Sequence, residues 1–364
     1  MSAIHPTNPE TSRITSLPIL VLHAHSSCNC RCIMCDIWKT KESNSFSLAR
    51  LRHLFHSIRE LQVRWIVFTG GEPLMNPELP AFCSLLRSEE IRLTVLTTGL
   101  LLERQAQQVV DSFDDIIVSL DGPPAIHDQV RQVQRAFHTM QTGITAIRQK
   151  RPDMRITART TIQKANHRNL REVVSTAKAL GLDGISFLAA DLTSEAFNRA
   201  TPWPEDRQAQ IGLSFEEVHA LTAEVEALLA EFRVEIETGY ISESAEKLRR
   251  IVQHFRAHLG LEQPRSPMCN APWVSAVVET DGTVRPCFFH KPIGTLQTDN
   301  LTQVLNSEQA LAFRDGLDIA SNPVCNRCVC SLHYRDPGRS SACDLSQGSS
   351  AYASGSPRLP AAGR

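Results

Sequence analysis

Four cysteines fall within eight positions of the stretch SSCNCRCIMCDIW, residues 26–38: Cys28, Cys30, Cys32 and Cys35. A structural zinc site draws ligand pairs from two separated knuckles, because a tetrahedron is approached from two sides. Four ligands in eight residues would wrap one ion awkwardly, and no second Cys-x2-Cys lies close by in sequence. A redox Cys-x2-Cys needs two thiols. The subset Cys28-x3-Cys32-x2-Cys35 offers three thiolates on one loop, able to hold three irons of a [4Fe–4S] cluster and leave the fourth open to an exogenous ligand. Cys30 stands outside that subset and reads as a bystander.

A second set of cysteines lies far along the chain: Cys269, Cys287, Cys325, Cys328, Cys330 and Cys343, with Cys83 alone between the two groups. Four thiolates from two separated places can complete a cubane. A zinc site made from the same cysteines competes with that reading, and zinc carries no electrons. Iron content separates the two.

Between the sets, TGGEP at Thr69–Pro73 ends an apolar run. Glycines let a ligand approach the backbone closely, and Glu72 offers a charge-assisted acceptor for an ammonium. A tight βα turn would by itself account for Gly70, Gly71 and Pro73. VLTTG at 95–99 and SLDGP at 119–123, the latter followed by His127, Asp128 and Arg131, end two further apolar runs. Asp121 could cap the loop before the next helix. His23 and His25 read as packing or solvent-facing residues.

The elements that must position these groups alternate regularly. LPILVLHAH, WIVFT, RLTVLTT, DIIVSLD, MRITARTTI and GISFLA are short strand-like runs. Helical spacing marks 48–61, and helix-like segments lie near 78–88, 101–112, 139–150 and 168–180. Asn169 and Glu172 form an expected N-cap pair for the last. Six strands alternating with helices imply a parallel sheet. They are too few for an eight-fold barrel, so an α/β fold, a partial (β/α)6 TIM-like barrel over 19–195, is expected. Chemistry in such folds collects at the C-terminal strand ends, where the first cysteine loop stands. A helical connector is expected over 196–262, opened by a Ser214/Glu217 capping box, with a further helix near 242–259. A small α+β cluster-binding domain follows over 263–343, with a hairpin turning at Asp281-Gly282 and a helix near 301–316. Residues 1–18 read as a flexible lead-in and 344–364 as a disordered tail.

CxxxCxxC after a first barrel strand, with GGEP after the second, resembles the radical S-adenosylmethionine (SAM) superfamily. The resemblance implies that Cys28, Cys32 and Cys35 hold a [4Fe–4S] cluster whose open iron binds SAM. It also implies cofactor contacts from Gly70, Gly71, Glu72 and Pro73. Thr98 stands where the family's TNG-like turn carries Asn, and Ser119 is placed to reach the SAM ribose or methionyl end. Trp38 fits an aromatic residue beside the cluster. Cys269, Gly282 and Cys287 resemble the C-x9–15-G-x4-C opening of SPASM and twitch domains, and Cys325-x2-Cys328 supplies the next pair. Cys269, Cys287, Cys325 and Cys328 are thereby implied as ligands of one auxiliary [4Fe–4S] cluster. Tyr334 replaces the cysteine a full SPASM domain would carry, and Cys330 and Cys343 are off its spacing.

Composition narrows the remaining choices. The 364 residues are 42% hydrophobic and 21% charged with net charge −1, which gives no electrostatic case for nucleic acid or an anionic membrane. No run of about 18 apolar residues appears, and the N-terminus lacks a secretory pattern. Eleven cysteines in an expected cytoplasmic setting point to metal chemistry rather than disulfides. The expected activity is reductive cleavage of SAM to a 5′-deoxyadenosyl radical that abstracts hydrogen from a substrate C–H bond. An electron donor such as flavodoxin or ferredoxin would supply the reducing electron. A net oxidation or modification of a sugar- or aminocyclitol-like small molecule is the favoured outcome, with the auxiliary cluster taking the electron. A peptide maturase and a non-enzymatic iron–sulfur or zinc protein are the alternatives.

Overall fold

The computed structural model describes residues 12–297 and 299–335. Residues 1–11, Cys343 and the expected tail 344–364 lie outside the described residues. Six parallel strands carry the first half: β1 (Ile19–His25), β2 (Trp65–Gly70), β3 (Arg92–Thr97), β4 (Asp115–Ser119), β5 (Arg155–Ile162) and β6 (Ile185–Ala189). They run in sequential order with parallel pairing throughout. The structure is therefore the α/β partial barrel that the alternation implies.

Helices α1 (Leu48–Glu60), α2 (Leu79–Leu86), α3 (Ala106–Ser112), α4 (Pro124–Arg131), α5 (Ala136–Lys150) and α6 (Leu170–Ala179) cover the outside of the sheet. The outward side chains of β1, Leu20, Leu22 and Ala24, are fully buried in the core shared with these helices. The inward ones, Ile19, Val21, His23 and His25, line the barrel's interior. Period-two alternation thus splits one strand between packing and chemistry.

Some local details differ from the sequence reading. Asn169 takes the N-cap position of α6, yet its side chain makes no capping bond there; Nδ2 instead donates to Glu172 Oε2 at 2.8 Å. The Ser214/Glu217 capping box is present, opening α8 (Phe215–Glu231), which follows α7 (Glu205–Ile211). The flexible lead-in is corrected over residues 12–18. Ile14 and Leu17 are buried, and Asn306 holds Ile14 through both N–H and C=O at 2.8 Å. Apolar contact and two satisfied backbone groups outweigh the entropy of ordering this segment.

After α9 (Ala245–His258), β7 (Ser275–Val278) adds in parallel to the free edge of β1, pairing Ile19 with Ser275 and Leu22 with Val278. The hairpin then turns at Gly282, whose φ of 93° suits glycine, into β8 (Thr283–Arg285) and β9 (Gly294–Thr295). The expected helix near 301–316 is two, α10 (Leu301–Leu305) and α11 (Glu308–Asp315), broken where Ser307 caps the second. One nine-stranded sheet therefore joins both cysteine sets.

Candidate iron–sulfur and cofactor site

The first cysteine loop leaves β1 and is held from three sides. Gly71 N–H donates to His25 O at 2.8 Å and Glu72 N–H to Ser27 O at 2.9 Å, tying the loop to the turn after β2. Arg31 N–H donates to Arg131 O at 3.1 Å and Ile33 N–H to Val130 O at 3.0 Å, tying it to the end of α4. On the third side, Trp203 Nε1–H donates to Asp36 Oδ2 at 2.6 Å and Arg207 to Ile33 O. Trp38 Nε1–H donates to Cys32 O at 3.3 Å, so this indole fastens the loop itself.

Cys28, Cys32 and Cys35 line one cavity of about 800 Å³, while Cys30 is buried beneath them. Hydrogen bonds with Cys28 and Cys32, together with burial, push the Cys30 pKa up. The hydrogen bond from Cys30 and the nearby Arg131 guanidinium bring Cys32 down to about 6 against the opposing effect of burial. Burial pushes Cys35 up to about 12. A thiolate is the ligating form, so Cys32 is the member already poised as one. Cys28, Cys32 and Cys35 thus share one cavity wall, and Cys30 lies outside its lining.

The four remaining cofactor candidates divide from two that are displaced. Gly70, Gly71, Thr98 and Ser119 line the cavity, but Glu72 and Pro73 stand behind its wall. The Glu72 carboxylate, expected to receive an ammonium, is held here by groups of the chain itself. Oε1 accepts from Leu74 N–H at 3.1 Å and Thr97 Oγ1–H at 2.8 Å, and Oε2 accepts from Thr98 N–H and Thr98 Oγ1–H, both at 2.8 Å. Four donors fill a carboxylate's acceptor sites. Glu72 thus couples the turn after β2 to the turn after β3, and Pro73 opens the short helical turn that presents Leu74 N–H. Thr98 in place of Asn serves the same coupling, with Oγ1 also 3.0 Å from Asn29 Oδ1 of the cysteine loop.

A buried ion pair supports Cys32 from outside the ligand set. Arg131 Nη2 lies 2.5 Å from Asp121 Oδ2, and Arg131 Nη1–H donates to Cys32 Sγ at 3.4 Å. Asp121 Oδ1 accepts from Thr161 N–H at 3.1 Å, so the carboxylate braces β5 rather than capping a loop. The ten-residue spacing between Asp121 and Arg131, with one short helix between, is the signal in sequence for this pair. Arg131→Met would leave Asp121 buried without its cation, a cost of about 3–5 kcal/mol. Urea unfolding is expected to register that loss, with Asp121→Asn/Arg131→Met recovering part of it. Full stability in Arg131→Met would refute the pairing.

The second set comes together against the same cavity. Cys269, Cys287, Cys328 and Cys330 line it, whereas the Cys325 thiol sits 3.3 Å from His290 Nε2. The segment after Cys330 folds back into the barrel. Asn270 N–H donates to Leu332 O at 2.8 Å and Tyr334 N–H to Asn270 Oδ1 at 2.9 Å. Leu332 and Tyr334 pack on Ile19, Trp65 and Val67 of the inner face. The C-terminal module therefore closes one side of the cavity, where a full SPASM domain would have placed a cysteine at position 334.

Comparison with known proteins agrees with this geometry. Residues 25–188 match the model of the radical SAM superfamily, and residues 269–329 match that of the SPASM iron–sulfur cluster-binding domain. The pre-heme d1 synthase of Dinoroseobacter shibae is 27% identical over 49% of this chain and 45% of its own length. The Fe-coproporphyrin III synthase of Methanosarcina barkeri is 25% identical over 53% and 49%. The chain thus spans about half the length of the curated relatives it matches. Among solved structures, anSMEcpe with bound AdoMet is 18% identical, with a TM-score of 0.59 over 82% of this chain and 79% of that one. Streptococcus suis SuiB bound to S-adenosylmethionine is 11% identical, with a TM-score of 0.61 over 89% and 74%.

Proposed function

We infer that this chain, a radical SAM protein with an SPASM-type iron–sulfur domain, oxidatively modifies a small molecule, sugar- or aminocyclitol-like, held between two clusters. The observation that carries this reading is that one cavity is lined by Cys28, Cys32 and Cys35 and also by Cys269, Cys287 and Cys328. When bound, the first cluster with SAM supplies a radical able to take hydrogen from an unreactive C–H bond, and the auxiliary cluster a one-electron acceptor. Cys28, Cys32 and Cys35 would hold the first; Cys269, Cys287, Cys325 and Cys328 are the sequence-derived set for the second. Gly70 and Gly71 would offer backbone to SAM, and Thr98 and Ser119, which line the same cavity, would flank it.

The protein's own groups argue for the substrate's charge. Arg131 pairs with Asp121, Arg199 with Asp191 at 2.7 Å and Arg285 with Glu279 at 2.6 Å. Arg159 donates to Ser186 Oγ at 3.2 Å. Each arginine lining the cavity is thus already engaged, with Lys41 the further cation on its wall, a sparse provision for a polyphosphate or polycarboxylate guest. Ile19, Val21, Trp65, Val67, Phe288 and Leu332 give the walls an apolar character suited to excluding water. A peptide side chain is the second reading, because anSMEcpe with a bound Cp18Cys peptide and SuiB with its precursor peptide SuiA share this fold.

The test is 5′-deoxyadenosine release by reconstituted, reduced protein given SAM alone, the small-molecule filtrate of a cell extract, or its peptide fraction. Stimulation by the filtrate supports the favoured substrate class. Stimulation by the peptide fraction alone moves the assignment to peptide maturation, and none in any tube, with clusters loaded, refutes radical catalysis.

A further inference from the structure

Among the described residues, the second cysteine set has one thiol more than a cubane takes. Cys269, Cys287, Cys328 and Cys330 all face the shared cavity. Cys325 instead meets His290, whose ring packs edge-on against Phe313. Cys328 Sγ–H donates to Cys330 O at 2.9 Å, a tight local turn that keeps these two cysteines together. Arg250 lies on the same side, its Nη1–H donating to Cys328 O at 3.3 Å. The SPASM match ends at residue 329, one position before Cys330.

We infer that Cys330 is a fifth iron-ligating thiol of the auxiliary site, able to take the place of Cys325 so that the site keeps its cluster with either one. A cubane accepts one cysteine at each of four irons. With Cys269, Cys287 and Cys328 in place, the last iron has two candidate donors, one facing the cavity and one backed by His290. Exchange between them would swap one thiolate for another with no electron gained or lost, the proton of the incoming thiol passing to the outgoing one. This inference rests on the auxiliary-cluster reading, and the test separates the two.

The parent for the test is the full chain carrying Cys28→Ala, Cys32→Ala and Cys35→Ala, so that all cubane iron reports the auxiliary site. It is reconstituted anaerobically with ferrous iron and sulfide, and iron, sulfide and the electron paramagnetic resonance spectrum of the reduced protein are recorded. Cys325→Ala and Cys330→Ala are each expected to retain about four irons per chain. Their reduced spectra should differ from each other, because different thiolates complete the shell. Cys325→Ala/Cys330→Ala should lose the cubane signal and most of its iron, as the control Cys328→Ala should. Circular dichroism and Cys325→Ser separate ligand loss from misfolding. Cys325→Ala or Cys325→Ser falling to the level of Cys328→Ala, with the fold intact, would overturn the inference, as would a double variant that keeps its cubane. A parent that binds no cubane at all overturns the auxiliary-cluster reading and this inference with it.

Discussion

Replacing Cys28, Cys32 and Cys35 together with alanine is expected to abolish 5′-deoxyadenosine formation, a fall of roughly a thousandfold or more to assay background, because the cofactor supplies the chemistry. About four irons per chain should go and about four remain. The loss is local because the loop's path does not depend on its thiols. Backbone donors of Arg31 and Ile33 reach α4, and Ser27 O receives Glu72 N–H. Truncating three sulfurs at a cavity wall leaves those bonds in place, so circular dichroism and the melting transition should stay near the parent's. Cys30→Ala is the informative control. Cys30 is buried and hydrogen-bonded to Cys28 and Cys32, and as a non-ligand its removal should leave the iron count unchanged. SAM cleavage persisting in the triple variant would refute the ligand assignment.

The strands and the cysteine loop were legible because their signals are local. Ile19–His25 alternates outward apolar residues with cavity-facing ones, and Gly282 marks a hairpin through its backbone freedom alone. What was not legible depends on contacts between distant residues. Trp203 meets Asp36 across 167 positions, and Asn306 meets Ile14 across 292; neither partner advertises the other. Glu72 is the sharper lesson. Its place in GGEP invites a cofactor contact, but four donors from β3's turn and its own helical turn occupy the carboxylate. A motif fixes which residues gather, whereas the hydrogen-bond count decides which of their atoms remain available. Asp121 follows the same logic: the type and position suit a cap, and a cation ten residues on claims it.

Gly71→Ala should damage the site through its backbone contact with the cysteine loop. A Cβ there would stand 2.1 Å from Ser27 O, 2.4 Å from Ser27 C and 2.8 Å from Ser26 O. All three are backbone atoms, so no rotamer relieves the clash, and ordinary contact distances require the chains to part by roughly 1 Å or more. The strand pairing between β1 and β2 resists that movement below the turn. The loop yields instead, taking the Glu72 N–H to Ser27 O bond and the adjacent Cys28 with it. A displacement of that size at a reacting centre costs about a hundredfold in rate, so 5′-deoxyadenosine release should fall by about that factor, with poorer iron loading of the first cluster. Gly181→Ala supplies the comparison. Its φ is +67° and nothing lies within 4 Å of a new Cβ, so the backbone penalty of about 1–2 kcal/mol should lower stability while leaving SAM cleavage per loaded cluster unchanged. If Gly71→Ala merely reproduced the Gly181→Ala result, the turn and the cysteine loop would not be in contact in the working protein, and the coupling through Ser27 would have to be abandoned.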